Sequence, residues 1–358
     1  MPTYSLLVQP SFNRVYAKAA AAIGAAELDT IGALARPGLY SAARQVRRGG
    51  VDYLEITTAD ELDAGDRRLL AELSCTFTLF EQRDDGSLLP LDDAPTTLFD
   101  DDLLTTLRYS GKTNDQFTKL LLNLALAATD GGIDALVGGG IPPDEEHRFR
   151  VFDPVCGRGT TLNQAAMQGF DAVGLDADKK DHELYVGFLK KYLQDHRVKH
   201  SSEAFAVKKG PAAPAARTTF TLTPPPDRAP APTTERLTVD IIYGDTVHTR
   251  EFLTRSSVDV IVGDLPYGVQ HGSRNDQWGT SRDPSTMLAA ALPAWRQVLR
   301  LGGAMALAWN TKILSRAALE AHVRDAGFDL ADPGNDGRFS HQVDRTITRD
   351  VLLAVKSA

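Results

Sequence analysis

The chain of 358 residues contains only two cysteines, Cys75 and Cys156. It has no Cys-x-x-Cys pair and no group of cysteines and histidines with the spacing of a zinc site. Two distant cysteines exclude a disulfide scaffold and are typical of a protein from a reducing compartment. We therefore expect no resident metal.

Long apolar runs are also missing. No stretch approaches the roughly 18 uncharged apolar residues that cross a bilayer. The first twenty residues, MPTYSLLVQPSFNRVYAKAA, carry polar and charged side chains where a signal peptide needs an apolar run. The sequence therefore predicts a cytoplasmic protein with no membrane partner.

An excess of positive charge is absent as well, since the formal net charge is -8. This disfavours nucleic-acid binding through bulk electrostatics, which usually needs a basic face. Residues 187–217 are a local exception, with seven basic and two acidic side chains and a net charge of +5. This segment is interpreted either as a solvated linker or as an arm that contacts phosphates.

Apolar residues make up 42% of the chain and charged residues 24%, a balance typical of folded proteins. Two domains are the natural expectation for this length. Residues 1–105 predict a smaller N-terminal α/β domain that presents the substrate. In it the Asp-Gly of RDDG, between CTFTLFE and SLLPL, indicates a hairpin.

Residues 106–358 alternate strand-like and helix-like segments, which predicts a doubly wound α/β sheet with helices on both faces. The segment 113–128 predicts an amphipathic helix capped by Thr113 or Asn114. Residues 200–236, rich in Pro, Ala and Thr, offer little to build a core. We expect an irregular, mobile insertion there.

The strongest motif is DPVCGRGTTL, which begins at Asp153 where a predicted strand gives way to a helix. Ligands bind at such carboxyl ends in open α/β sheets. Gly157 and Gly159 allow a tight turn and close approach of a ligand. Asp176 follows 19 residues after Gly157, the placement of a carboxylate that accepts both hydroxyls of a ribose. Leu162 stands where a dinucleotide fingerprint prefers glycine.

This motif resembles motif I of class I S-adenosylmethionine-dependent methyltransferases of the amino-methylating branch. The resemblance covers residues 107–356 and implies a seven-stranded Rossmann-like sheet that binds S-adenosylmethionine. It also implies that Asp153 lies near the methionine amino group, Asp176 at the ribose and Asp245 beside the adenine. The cofactor-binding positions that it implies are Asp153, Pro154, Cys156, Gly157, Gly159, Thr160, Asp176, Ala177, Asp245, Thr246, Asp264 and Phe117.

A second motif, DLPYG, follows the next strand and resembles the (Asp/Asn/Ser)-Pro-Pro-(Tyr/Phe) motif of enzymes that methylate amino groups on planar rings. An exocyclic base amine is a poor nucleophile because its lone pair is delocalised into the ring. Asp264 and the Leu265 carbonyl would accept its two hydrogens. Pro266 would hold the turn and Tyr267 would stack on the base.

The target that the resemblance favours is guanosine N2 in tRNA. Asp-Leu-Pro-(Tyr/Phe)-Gly is similar to the form found in THUMP-linked guanosine-10 methyltransferases, although residues 1–105 do not resemble a THUMP domain. In this chain Gln164 stands where the related RNA enzymes often have Glu. The following loop offers Arg274 and Trp278 for phosphate and base contacts.

Other interpretations stay open. Methylation of DNA at adenine N6 or cytosine N4 would use the same motifs, but it expects a target-recognition domain. A small molecule or a protein amine could also accept the methyl group. C5-methylation of pyrimidines needs a cysteine nucleophile beside DLPYG, and the sequence has none there. A catalytically inactive RNA-binding scaffold is the non-enzymatic alternative.

Overall fold

The computed structural model has the α/β fold that the sequence predicts, with two sheets that follow one another along the chain. Within the described ranges, no helix combines the length and the apolar character that a bilayer crossing requires. The structure describes residues 1–11, 13–92, 95–109, 111–143, 147–207, 210–211, 214–225, 228, 236–266 and 284–358.

The N-terminal unit is an antiparallel sheet with two helices. Its elements are β1 (Thr3–Val8), α1 (Arg14–Ala35), β2 (Arg44–Arg48), β3 (Val51–Thr57), α2 (Ala64–Ala71), β4 (Thr76–Gln82) and β5 (Leu88–Pro90). The strand order is β2-β3-β1-β4-β5. The hairpin predicted at RDDG is confirmed, since β4 pairs antiparallel with β5 and Gly86 takes a φ of +82° in the turn.

The rest of the chain forms the larger sheet and its helices. Its elements are α3 (Asp102–Thr105), α4 (Asp115–Ala127), α5 (Gly132–Val137), β6 (Arg150–Asp153), α6 (Thr160–Met167), β7 (Asp171–Asp176), α7 (Lys179–Asp195), β8 (Lys199–Val207), β9 (Ala215–Thr223), β10 (Leu237–Tyr243), a 3-10 turn (Thr246–His248), α8 (Thr249–Phe252), β11 (Val258–Asp264), α9 (Ser285–Val298), β12 (Leu299–Asn310), α10 (Arg316–Asp325), β13 (Asp329–Leu330), β14 (His341–Gln342) and β15 (Thr348–Val355).

The larger sheet is doubly wound, as predicted. The order is β13-β15-β12-β11-β6-β7-β10-β9-β8, and β14 pairs with β15. The five strands β12, β11, β6, β7 and β10 are parallel to one another, whereas β15 is antiparallel to β12 and β9 is antiparallel to β10. Successive residues Val151 and Phe152 belong to two separate hydrophobic clusters, so both faces of the sheet are covered. Ten described strands form this sheet, whereas the sequence analysis predicted seven.

The extra strands correct one expectation. Much of the Pro/Ala-rich segment expected to be irregular is the antiparallel hairpin β8–β9, and β9 extends the sheet beside β10. The threonine-rich run in β9 alternates with the buried Phe220 and Leu222, a strand pattern that the overall composition hides. Arg217, one of the basic residues of this region, forms an ion pair with the buried Asp240.

Helix α4 joins the two units. Its N-cap is Asn114, whose Oδ1 accepts a hydrogen bond from Phe117 N at 3.1 Å, which settles the choice left open between Thr113 and Asn114. Its leucines lie in a hydrophobic core that also contains residues of α1 and β1. Asn123 Nδ2 donates to the buried Glu27 of α1 at 2.8 Å. Helix α1 of the N-terminal unit is therefore packed directly against the helix that precedes the first motif.

Candidate active site

Four carboxylates follow the carboxyl ends of neighbouring parallel strands. Asp176 ends β7, Asp153 ends β6 and Asp264 ends β11, while Asp245 stands two residues after β10. Because these strands are parallel and adjacent in the order β10-β7-β6-β11, their ends meet at one edge of the sheet. The turns of the two sequence motifs therefore begin side by side.

The first turn connects β6 to α6 and needs two glycines. Gly157 has a φ of +50° and Gly159 a φ of +76°, values that side chains rarely adopt. A Cβ at Gly159 would lie 2.3 Å from the Tyr185 ring, so this glycine is also required by packing. A Cβ at Gly157 would meet no atom within 4 Å. The backbone at Gly157 therefore borders open space, where a ligand can approach closely.

Asp176 is held by backbone amides on both sides. Its Oδ2 accepts from Gly157 N at 2.8 Å and its Oδ1 from Asp178 N at 2.8 Å. Burial raises its pKa, and these two hydrogen bonds oppose the increase. Each carboxylate oxygen has a second lone pair, so both can still accept a hydroxyl donor. Asp176 is thus rigidly oriented at the end of its strand.

Asp153 is almost fully buried, with 3% of its surface exposed. Its Oδ1 accepts from Val155 N at 3.0 Å. Burial raises its pKa to about 7, while hydrogen bonds from Thr161 and Val155 oppose the shift and the charges of Asp176 and Asp264 add to it. An adjacent cation would favour the ionised form.

The remaining predicted cofactor residues of the first turn have different surroundings. Pro154 is buried, and Thr160 Oγ lies 3.4 Å from the Tyr109 hydroxyl. Cys156 is buried and its amide donates to Leu175 O at 3.1 Å. Burial raises the pKa of the Cys156 thiol well above its usual range, which is the opposite of an activated nucleophile.

Beyond β7 and β10, the predicted positions are mixed. Ala177 is exposed. Asp245 caps the 3-10 turn by accepting from Val247 N at 3.0 Å. Thr246 is buried, and its hydroxyl accepts from Trp295 Nε1 at 2.9 Å. Thr246 therefore anchors α9 to this edge of the sheet through its side chain.

The second turn begins at Asp264 and continues the sheet for one more residue, because Leu265 N donates to Ala308 O at 2.9 Å. The Leu265 side chain is buried, so this residue can offer its backbone rather than its side chain. Asp264 Oδ2 accepts from Thr113 Oγ at 2.5 Å and from Arg349 Nη2 at 3.2 Å. Two distant segments therefore hold the carboxylate.

Arg349 supports Asp264 from inside the protein. Its side chain is 6% exposed and its guanidinium carbon lies 4.6 Å from the centre of the Phe117 ring. Phe117 contacts the His341 ring at 5.1 Å and the Tyr16 ring at 6.4 Å. Phe117, predicted to contact the cofactor, has no exposed surface here and fills a core position beneath the guanidinium.

The sequence analysis missed Arg349, and it named Thr113 only as a candidate cap of α4. No spacing in the sequence relates Arg349 to Asp264. The one available signal was a pair of charged residues, Arg349 and Asp350, at the start of a strand that is apolar from Val351 onward. Three predicted substrate residues lie outside the described part of the chain: Tyr267, Arg274 and Trp278.

No family model and no curated protein matches this sequence. Among solved structures, a proposed RNA methyltransferase from Pyrococcus horikoshii is 14% identical with a TM-score of 0.39, over 71% of this chain and 95% of that chain. A TehB-like SAM-dependent methyltransferase from Corynebacterium glutamicum is 14% identical with a TM-score of 0.34, over 58% and 80%. The cyclase SpnF is 12% identical with a TM-score of 0.38, over 68% and 82%. Likenesses this distant leave the activity to be argued from the site.

Proposed function

We propose that this chain is an S-adenosylmethionine-dependent methyltransferase that acts on an exocyclic amine of a nucleic-acid base, with guanosine N2 in tRNA as the first candidate. The observation that carries the proposal is the shared sheet edge. There the glycine turn after Asp153 and the Asp264-Leu265-Pro266 turn follow adjacent parallel strands. A donor and an acceptor held at these two turns would meet across one crevice.

The residues of the first turn fit this cofactor. Gly157 leaves room for a ligand beside the backbone, and Asp176 presents two oriented oxygens to a ribose. Asp153 would face the methionine ammonium, a cation that compensates its buried carboxylate. Asp245 would stand beside the adenine. When bound, S-adenosylmethionine supplies a methyl group activated by its sulfonium.

The second turn supplies the acceptor chemistry. Asp264 and the Leu265 carbonyl would accept the two hydrogens of the amine, which draws the nitrogen towards a tetrahedral, nucleophilic geometry. Thr113 and Arg349 hold the Asp264 carboxylate for this role. Pro266 limits the backbone of the turn. Stacking of the base on Tyr267, and contacts of Arg274 and Trp278, stay predictions from the sequence.

The nucleic-acid partner, tRNA in particular, rests on the resemblance of DLPYG to the guanosine enzymes. The target base would have to leave its stack to reach Asp264. A cytoplasmic location stays an expectation from the sequence. Methylation of a pyrimidine at C5 is disfavoured because Cys156 is buried with a raised pKa, and Cys75 is buried in the N-terminal unit.

The test has two parts. Calorimetry with S-adenosylmethionine alone should show one binding site per chain. Labelled S-adenosylmethionine should then transfer its methyl group to total tRNA, and digestion should yield N2-methylguanosine. Duplex DNA, small amines and histidine- or lysine-rich proteins are the parallel acceptors. Labelling of DNA without tRNA would replace the acceptor in this proposal, and absence of cofactor binding would refute the methyltransferase itself.

A further inference from the structure

The N-terminal sheet has one face covered by helices and one that they leave uncovered. Leu6 lies opposite Leu54 and Leu79 on the neighbouring strands, and all three are fully buried. Helix α1 lies on this side, since a Cβ at Gly24 would lie 3.4 Å from the Leu54 side chain. Side chains alternate along strands, so the next residues in each strand point to the other side.

This other side is called the arginine-aromatic face. Tyr53 on β3 lies opposite Leu7 on β1 and, on its other side, opposite Val46 on β2. Ser5 on β1 lies opposite Phe80 on β4. The Tyr53 and Phe80 rings lie 6.4 Å apart between centroids, and both side chains are half-buried. The face includes Ser5, Leu7, Arg44, Val46, Arg48, Tyr53, Glu55, Thr78 and Phe80. Ser5 and Glu55 are buried, whereas the two arginines, Tyr53 and Phe80 keep exposed surface.

The charge of this face is positive. Its one acidic side chain, Glu55, is 3% exposed and is hydrogen-bonded by both Arg44 and Arg48. Two guanidinium groups against one carboxylate leave a net charge of +1 on a protein whose net charge is -8. The Arg44 side chain is 74% exposed and that of Arg48 36%. A guanidinium has five N–H donors, so donors remain for a phosphate beside Glu55.

We propose that the arginine-aromatic face binds single-stranded RNA, with bases on Tyr53 and Phe80 and phosphates at Arg44 and Arg48. One common class of RNA-binding domain stacks bases on aromatic side chains of a four-stranded sheet. Here Tyr53 and Phe80 lie on two of the four strands β2-β3-β1-β4, and β5 adds a fifth strand at the edge. Stacking of this kind tolerates any base, so the face would hold flanking RNA rather than select the target. As the attachment surface for the substrate, it rests on the proposed function above. RNA binding by this face can be measured independently of methyl transfer.

The experiment measures fluorescence anisotropy of a short labelled single-stranded RNA with the full chain, without cofactor, at low and moderate salt. Arg44→Ser should weaken binding about tenfold and reduce the salt slope by about one. Tyr53→Leu and Phe80→Leu keep an apolar side chain but remove stacking, and each should weaken binding about fivefold to tenfold. Thermal melting identifies any variant that has lost its fold. Arg44→Ser should keep the fold best, because the Arg44 side chain is 74% exposed.

The matched controls lie on the same strands. Arg47, with 71% of its side chain exposed, alternates with Arg44 on β2, and Phe77, 62% exposed, precedes Phe80 on β4. Arg47→Ser and Phe77→Leu should leave affinity unchanged within about twofold. The proposal is overturned by no RNA binding at low salt, by equal losses in the controls, or by preferred binding of duplex DNA. Calorimetry with S-adenosylmethionine on the same samples shows separately whether the proposed function fails.

Discussion

The two halves of the candidate active site are held in place differently. On the side proposed to bind the cofactor, called the cofactor side, each carboxylate accepts a hydrogen bond from a backbone amide two residues later. Asp153 accepts from Val155, Asp176 from Asp178 and Asp245 from Val247. On the acceptor side, Asp264 is bound by Thr113 and Arg349, which lie 151 and 85 positions away in the chain.

This difference has a practical consequence. The cofactor side is largely formed by its own turns, because the amides that orient the carboxylates belong to the same loops. The acceptor side depends on how α4 and β15 pack against β11. The two sides should therefore be separable by mutation. Changes at Thr113 or Arg349 should affect methyl transfer, whereas changes at Asp176 should affect cofactor binding.

The variant Asp264→Ala should show the largest difference between loss of methyl transfer and loss of cofactor affinity. Methyl transfer to the proposed RNA substrate should fall about 10³-fold, because the amine would lose the carboxylate that accepts its hydrogen. Affinity for S-adenosylmethionine in calorimetry should stay within about threefold, because the proposed function assigns Asp264 to the acceptor amine rather than to the cofactor. If this variant transferred methyl groups at the rate of the natural protein, Asp264 would not be the group that holds the acceptor amine.

Asp176→Ala should produce the reverse pattern. Loss of two charge-assisted hydrogen bonds to the ribose is expected to weaken S-adenosylmethionine binding about 100-fold in calorimetry. The control is Asp178→Ala, which removes the cap of α7 two positions further along the chain. That variant should lower the melting temperature by a few degrees and leave cofactor affinity nearly unchanged. Equal losses of affinity in both variants would contradict a ribose-binding role for Asp176.

Arg349 tests whether the distant contacts orient Asp264. Arg349→Met keeps an apolar stem over Phe117 and should lower kcat about 30-fold with little change in cofactor affinity. Arg349→Lys keeps the charge and should recover part of the loss. Arg316→Met is the matched control, because Arg316 also pairs with a buried aspartate, Asp350, and stacks on Trp309. If both methionine variants lose stability and activity in the same proportion, Arg349 has only a structural role.

The smallest expected effect is a pH dependence on the cofactor side. The pKa of Asp153 is about 7, so this carboxyl is mostly protonated at pH 6 and ionised at pH 8. Affinity for S-adenosylmethionine should therefore rise about tenfold from pH 6 to pH 8, since the ionised form favours the ammonium. Asp153→Asn should bind more weakly at pH 8 and lose this dependence.

The same group affects stability with a defined sign. Because the folded-state pKa of Asp153 lies above its ordinary value, its contribution to the free energy of unfolding is present at low pH and is lost as pH rises through about 7. The free energy of unfolding of the natural protein, measured by denaturant titration, should fall relative to that of Asp153→Asn between about pH 4 and pH 7. Parallel curves for the two proteins would contradict the raised pKa.

Much of the fold was predictable because its signals are local. Strand-helix alternation predicted the doubly wound sheet, and Asn114 was one of two predicted caps of α4. The β8–β9 hairpin was not predicted, because its proline- and alanine-rich surroundings hide the alternation around Phe220 and Leu222. Phe117 was assigned to the cofactor from a resemblance, whereas its position in the structure is a core position set by His341 and Tyr16.

The sequence by itself determined the glycine turn after Asp153 and the strand ends that carry Asp176 and Asp264. Backbone freedom at glycine and the periodicity of strands act over a few residues, so a linear pattern contains them. Only the tertiary structure decided that Arg349 and Thr113 hold Asp264 and that Arg44 and Tyr53 share an uncovered face. Those contacts depend on the register of strands and the packing of helices far apart in the chain, which no local pattern specifies.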